Sequence, residues 1–205
     1  GYKGIRYDVK SAADDFEIYD VAREQQETHN LAKDGDMTAL ETAMKARVLQ
    51  VRKPDPEARR PYDNAPVPAL ATMPADATGF TWSLFLDTWP WMPDFRTLRP
   101  ASTGKAAEIS LTMAPSNQPF GLAFTGYFHA PQDGDYTFTL ASDTGAMLFI
   151  HDIRVIDESL KNPSAKVSGR VRLQAGWHPL RLYYRHAGDS RPQLNFGCQE
   201  TEIKK

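Results

Sequence analysis

Side chains that could do chemistry gather in a few short stretches of this chain. The run "LASDTGAMLFIHD" sets Asp143 and Thr144 in a small polar knot between two apolar runs. Asp143 has two readings there, a ligand contact or an Asx-type turn ahead of Gly145. The stretch "FTWSLFLDTWPWMPDF" carries Trp82, Trp89, Trp91 and Phe95. Exposed aromatics stack on sugar rings, and sandwich cores also take Trp. Trp89 and Trp91 share parity across Pro90, which predicts that at least one of them is exposed. His151-Asp152 is a pair of the kind used in acid–base chemistry. No serine nucleophile is tied to it by motif, so a turn is the better reading. The five histidines lie at 29, 129, 151, 178 and 186, without a zinc-binding spacing. Arg170, Arg172, Arg181 and Arg185 alternate along strand-like runs, which is either one solvated face or a surface for an anionic ligand.

Composition bounds these readings. The chain has 205 residues, 41% of them hydrophobic and 24% charged, as soluble globular proteins do. A formal net charge of −2 gives no reason to expect nucleic acid, which calls for clustered Lys and Arg. No apolar run approaches the roughly 20 residues that span a bilayer. The start "GYKGIRYDVK" lacks the apolar core of a signal peptide, so the chain is either cytosolic or a fragment whose export signal lies upstream. One cysteine, Cys198, excludes an internal disulfide and a multi-cysteine zinc site.

The elements that must position these residues change character along the chain. In residues 1–53, "KGIRYDV" and "FEIYDVA" read as an antiparallel hairpin. A helix follows near 37–52, with Met37, Leu40, Met44, Val48 and Val51 on one face. Thr38 with Glu41 has the form of a capping box, and Asp36 is a competing N-cap. Residues 54–78 hold prolines at 54, 56, 61, 66, 68 and 74, which predicts an extended connector packed on a neighbour. Residues 79–198 read as eight strands separated by turns, including "KNPSAKVSG", and residues 199–205 as a tail. The fold class is mainly β, an antiparallel β-sandwich preceded by a small α+β subdomain.

Two resemblances add to this. "FEIYDVAREQQETHNLA" is similar to the C-terminal subdomain of type I sulfatases, whose pattern runs E-L-Y-D-L and then E-x-x-N-L-A. Tyr19, Asp20, Glu27, Asn30, Leu31 and Ala32 match, and Glu24-Gln25 stands where that family often has Asp-Pro. The resemblance covers residues 2–50. It implies a small sheet with a packed helix, attached to a large catalytic core that carries calcium and formylglycine. The core's C/S-x-P-x-R motif is not in this sequence, since Cys198 is followed by Gln-Glu-Thr. No catalytic residue is therefore assigned in this chain, and it is expected to be inactive alone.

Residues 79–198 resemble the protective-antigen-type (PA-fourteen) sandwich, on "FTGYFHAPQDGDYTFTLASDTGAMLFIHDIRVID" and "VRLQAGWHPLRLYYRHAGDSRPQLNFG". The resemblance implies glycan binding, often through calcium held by two consecutive aspartates across a cis peptide. Here the second is Thr144, so the expected cofactor content is none, with Asp143 and Asp189 as a weak calcium pair. Without the metal, the Asp143–Thr144 peptide is expected to be trans. The candidate carbohydrate-binding residues are Asp143, Thr144, His186, Asp189, Trp89 and Trp91. Together the two resemblances imply the non-catalytic end of a periplasmic or extracellular sulfatase. Its module would bind or position a sulfated glycan, with the upstream catalytic domain as partner. The alternative is a purely structural module that orients or shields that domain.

Overall fold

Strict alternation of side chains decides where the strands bury. In β6 (Gly134–Ser142), Tyr136, Phe138 and Leu140 point inward, while Thr137 and Thr139 point out. In β10 (Gly176–His186), Leu180, Leu182 and Tyr184 face in, while Arg181, Tyr183 and Arg185 face out, the last two buried against a small second core and its loop. The computed structural model describes residues 1–33, 35–75, 77–116, 118–159 and 166–201.

The inward faces belong to two antiparallel sheets. The larger joins β3 (Phe80–Phe85), β4 (Ser102–Ala106), β5 (Phe120–Ala130), β7 (Gly145–Ile150), β8 (Ile153–Asp157) and β10 in the order β4-β3-β5-β10-β7-β8. The smaller joins β9 (Val167–Leu173) and β11 (Leu194–Thr201) to β6 in the order β11-β6-β9. β10 and β5 pair in register from Gly176–Ala130 to His186–Phe120, and this long pair is the spine of the larger sheet. Between the sheets lie Phe120, Leu122, Phe124, Leu148, Leu182 and Tyr184 from one side and Tyr136, Phe138, Leu140 and Leu173 from the other. Truncating one of these phenylalanines to alanine costs about 3–5 kcal/mol.

Every strand expected over 79–198 is present. The polar edge strand β4, "STGKA", carries no alternation and was not anticipated. β11 runs on through Thr201, into the segment read as a tail. The turn expected at "KNPSAKVSG" lies mostly outside the described residues.

The first fifty residues form a hairpin of β1 (Tyr2–Ile5) and β2 (Glu17–Asp20), followed by helix α1 (Thr38–Gln50). This two-stranded sheet shares no strand with the sandwich. The residues of the E-x-x-N-L-A motif hold local structure. Asn30 Oδ1 accepts from the backbone N–H of Ile18 at 3.0 Å and of Ala32 at 3.1 Å, and Lys3 donates to Glu27.

Two details of α1 differ from the sequence reading. Glu41 does not close a capping box, because its Oε1 accepts from the Phe16 N–H at 3.0 Å and ties the helix to the hairpin. Asp36 Oδ1 instead accepts the Thr38 N–H at 3.2 Å. Val51 is exposed, and Leu49 is the buried residue of the helix. The helix end turns its Leu49 side to the fold, which helical spacing from Met37 places one residue away.

The connector expected to be extended is so only in part: Pro61–Asn64 form a short 3-10 helix, and the stretch around Val67 packs on the sandwich. Val67 is fully buried and makes a parallel bridge to Leu173. Its N–H donates to the Arg172 carbonyl at 2.9 Å, and its own carbonyl accepts from Gln174 at 3.0 Å. The four expected arginines divide between the sheets. Arg170 and Arg172 lie on β9, Arg181 and Arg185 on β10, so they do not form one face. Arg172 forks onto Asp135 across the strand pair, with both contacts at 3.0 Å.

The β7–β8 hairpin docks α1. Its two turn residues are His151, with φ of 50°, and Asp152. Asp152 N–H donates to the Gln50 carbonyl at 3.2 Å, taking up one of the free carbonyls at the helix end. Behind it His151 Nε2 and His178 Nδ1 are 3.0 Å apart, and His178 Nε2 donates to the Gln174 carbonyl at 2.9 Å. A carbonyl only accepts, so His178 Nδ1 is the acceptor of the pair, His151 donates, and both rings are neutral. Burial pushes the His151 pKa down to about 4 from its ordinary 6.5, and burial lowers that of His178 as well.

This arrangement predicts acid sensitivity. The unfolded chain takes up the His151 proton near pH 6.5, and the folded chain resists it until about pH 4. The stabilisation is therefore complete above pH 6.5 and declines as pH falls through 4, by about 3 kcal/mol in all. Melting temperatures measured between pH 7 and 4 should show this decline. His151→Asn, which tolerates the left-handed backbone, should flatten it.

Candidate functional site

The connection from β6 to β7 is only Asp143-Thr144, yet the two strands lie in different sheets. The knot is therefore a corner across one end of the sandwich. That end also carries the start of β5, the end of β3 with the following loop 86–101, and the end of β10 with loop 187–193.

Asp143 sits in this corner, 8% exposed, with donors from both sheets. Its Oδ1 accepts from the Tyr184 hydroxyl and from the Gln193 N–H at 3.0 Å. Its Oδ2 accepts from His186 Nδ1 at 2.6 Å, from Thr144 Oγ1 at 2.9 Å and from Ser190 Oγ at 3.2 Å. Its own N–H donates to the Gln193 carbonyl at 3.1 Å. Burial pushes the Asp143 carboxyl up, but the donors from Tyr184, Gln193, His186 and Thr144 outweigh burial and hold it below the ordinary carboxylate range. Burial, together with the Asp143 carboxylate, pushes the Tyr184 phenol well up. Both groups therefore keep one protonation state near neutrality, a carboxylate facing a phenol.

These contacts answer the choice posed by the sequence. Four of the five donors to Asp143 come from 41 to 50 residues away, so the carboxylate does more than shape its own turn. Both Asp143 oxygens are occupied by protein donors, among them the N–H groups of His186 and Gln193, which cannot ligate a cation. The Asp143–Thr144 peptide is trans.

The expected residues separate into groups. Asp143, Thr144 and His186 come together, and Thr144 Oγ1 also accepts from the Ala187 N–H at 3.3 Å. Asp189 is exposed, and its neighbour Ser190 is the one that turns to Asp143. Trp89 is half-buried and packs edge-on to Phe95, with centroids 5.9 Å apart. Arg185 donates to the Trp89 carbonyl at 2.9 Å, pinning the loop to the sheet. Trp91 is 63% exposed, so one of the two tryptophans is exposed, in line with the sequence reading, while the other is half-buried. The loop lies so close to β5 that a Cβ on Gly121 would sit 2.3 Å from the Phe95 ring.

Beside the corner runs an open groove of about 570 Å³, which sequence reasoning missed. Exposed Arg191, Gln193 and Asn195 line it together with Ser110, over half-buried Ile109, Leu111 and Leu194. It forms where residues 109–111 meet the start of β11. No local pattern brings those segments together, so no sequence signal marked it.

Residues 106–204 match the PA14 domain, over most of the sandwich. Among solved structures, a beta-glucosidase from Kluyveromyces marxianus aligns at TM-score 0.50 and 18% identity over 65% of this chain and 19% of its own. The Epithelial Adhesin 9 A domain from Candida glabrata, solved with Galb1-3GlcNAc, aligns at TM-score 0.49 and 15% identity over 68% of this chain and 90% of its own. The PA14 domain of the MpAFP antifreeze protein gives TM-score 0.49 and 15% identity over 63% and 85%. These are likenesses of fold, and the chain spans about a fifth of the glucosidase's length. None of the curated proteins matches the chain in sequence.

The corner makes a stability prediction. Tyr184→Phe removes one donor from a buried carboxylate and should cost about 1–3 kcal/mol in chemical denaturation. Asp143→Ala leaves several buried donors without an acceptor and should cost more than Tyr184→Phe. Equal stability of Asp143→Ala and the parent chain would refute the structural role.

Proposed function

We propose that this chain is the non-catalytic, carbohydrate-binding portion of a larger exported protein, with the sugar seated in the groove beside the Asp143 corner. The groove carries this reading. It offers donors and acceptors from Arg191, Gln193, Asn195 and Ser110 above an apolar floor, at the loop end of a PA14 fold. Sugars present the same mixture of hydroxyls and apolar ring faces, and binding sites of about 300–1,000 Å³ with few polar groups are typical of small ligands. The adhesin domain of similar fold was solved with a disaccharide. Asp189 and Trp91 are the exposed members of the candidate set and are available to a ligand at this end. Asp143, Thr144 and His186 act one step back, holding loop 187–193 in place.

We place this module in a sulfatase acting on sulfated glycans, on the motif Tyr19, Asp20, Glu27, Asn30, Leu31 and Ala32 alone. Catalysis belongs to the upstream domain. No helix among the described residues is long and apolar enough to cross a membrane, and a periplasmic or extracellular place follows from the proposed parent.

A glycan array followed by titration calorimetry tests the reading. Binding should fall at least tenfold in Arg191→Ala/Gln193→Ala. Chelating calcium should change affinity less than twofold, because donors already fill the Asp143 oxygens. Absence of binding to every glycan, or binding indifferent to the double substitution, would overturn it. Chromogenic aryl sulfates should not be turned over by the chain.

A further inference from the structure

A second concavity lies on the outer face of the six-stranded sheet and shares no residue with the groove at the corner. Its volume is about 530 Å³. The floor is apolar, with Phe149 and Tyr183 5.6 Å apart at 55° and Met147 beside them. On one wall Arg181 Nη2 and Arg47 Nη1 each hold an Asp152 oxygen at 2.6 Å, and the Arg181 guanidinium lies 5.4 Å from the Phe149 ring centre. On the opposite wall Arg96 forks onto Asp94, with both contacts at 2.8 Å. Helix α1 contributes Arg47, so the docked N-terminal unit completes this wall of the concavity.

We propose that this groove binds an anionic sugar ring. The inference rests on the carbohydrate reading and adds a second site with a stated ligand charge. Three points select the occupant. Aromatic rings edged by planar polar groups suit a pyranose, whose apolar face stacks while its hydroxyls both give and receive hydrogen bonds. Arginines supply donors and aspartates supply acceptors on both walls, where an apolar peptide anchor would take these ion pairs out of water and offer their remaining donors and acceptors nothing in return. The walls carry three arginines against two aspartates, Arg47, Arg96 and Arg181 against Asp94 and Asp152, which leaves one positive charge for the ligand to meet. Two guanidiniums share the single Asp152 carboxylate, so an incoming sulfate or carboxylate completes their coordination.

The test is a titration of the full chain followed by amide NMR, with galactose 6-sulfate, glucuronate, galactose and inorganic sulfate as separate probes. Galactose 6-sulfate or glucuronate should move the amides of Met147–Phe149 and Arg181–Tyr183 and bind at least fivefold more tightly than galactose or inorganic sulfate. The anionic probe that binds more tightly identifies the source of the charge. Arg47→Gln, a change on an exposed helix position, should weaken the anionic sugar at least fivefold and leave galactose unchanged. Phe149→Ala should weaken both sugars. Arg191→Ala should leave this site intact. Equal binding of charged and neutral galactose, equal binding of bare sulfate, or shifts confined to residues 191–195 would overturn the proposal. That last result would leave the reading of the first groove standing, whereas loss of glycan binding at residues 191–195 alone would leave this one standing.

Discussion

One buried carboxylate holds the end of this sandwich together. The chain crosses from the smaller sheet to the larger in two residues, which leaves a backbone corner that strand pairing cannot stabilise. Asp143 fills it, taking Tyr184 and His186 from the larger sheet and Gln193 and Ser190 from the loop that leads into the smaller. A charge in such a place is tolerated only when every oxygen is satisfied. The same contacts set the path of loop 187–193 and the start of β11, and so the wall of the groove that we read as the sugar site.

The outer face of the larger sheet is organised differently. Phe85, Phe95, Ala123 and Tyr183 make a small second core, closed by a loop that lies flat over Gly121. Met147 and Phe149 pack against this core but stay half-buried at its margin, and α1 reaches over from the other side through Arg47. Docking of α1 adds Arg47 to the groove between them. The helix is attached at its end by the Asp152 N–H, beside a buried pair of neutral histidines. An acid pH that charges those rings works against the same attachment that shapes the groove.

Both grooves place sugar-compatible chemistry on surfaces built from remote segments, one at the loop end and one on a sheet face. They differ in charge. The polar lining of the first is two amides, a serine and one arginine, whereas the second carries five ionised side chains. On the proposed reading, one groove would hold a glycan by its hydroxyls and the other by its charge.

Much of the architecture was legible because it rests on local periodicity. Alternation in "DYTFTLAS" and "AMLFIHD" marked β6 and β7, six prolines marked a connector without α-helix or central strand, and spacing marked α1. The edge strand β4 was not legible, since "STGKA" buries too little to show a pattern. Asp143, Thr144 and His186 could be singled out from their residue types. Their roles could not, because the donors that satisfy Asp143 lie 41 to 50 residues away. The partition of four arginines between two sheets, the exposure of Trp91 beside a packed Trp89, and both grooves were likewise decided by tertiary structure. Local sequence determines which face of a strand is apolar, through the two-residue repeat of the backbone. Which sheet that strand joins, and which loops then meet, depends on burying the apolar faces of all the strands at once, and no short stretch of sequence contains that information.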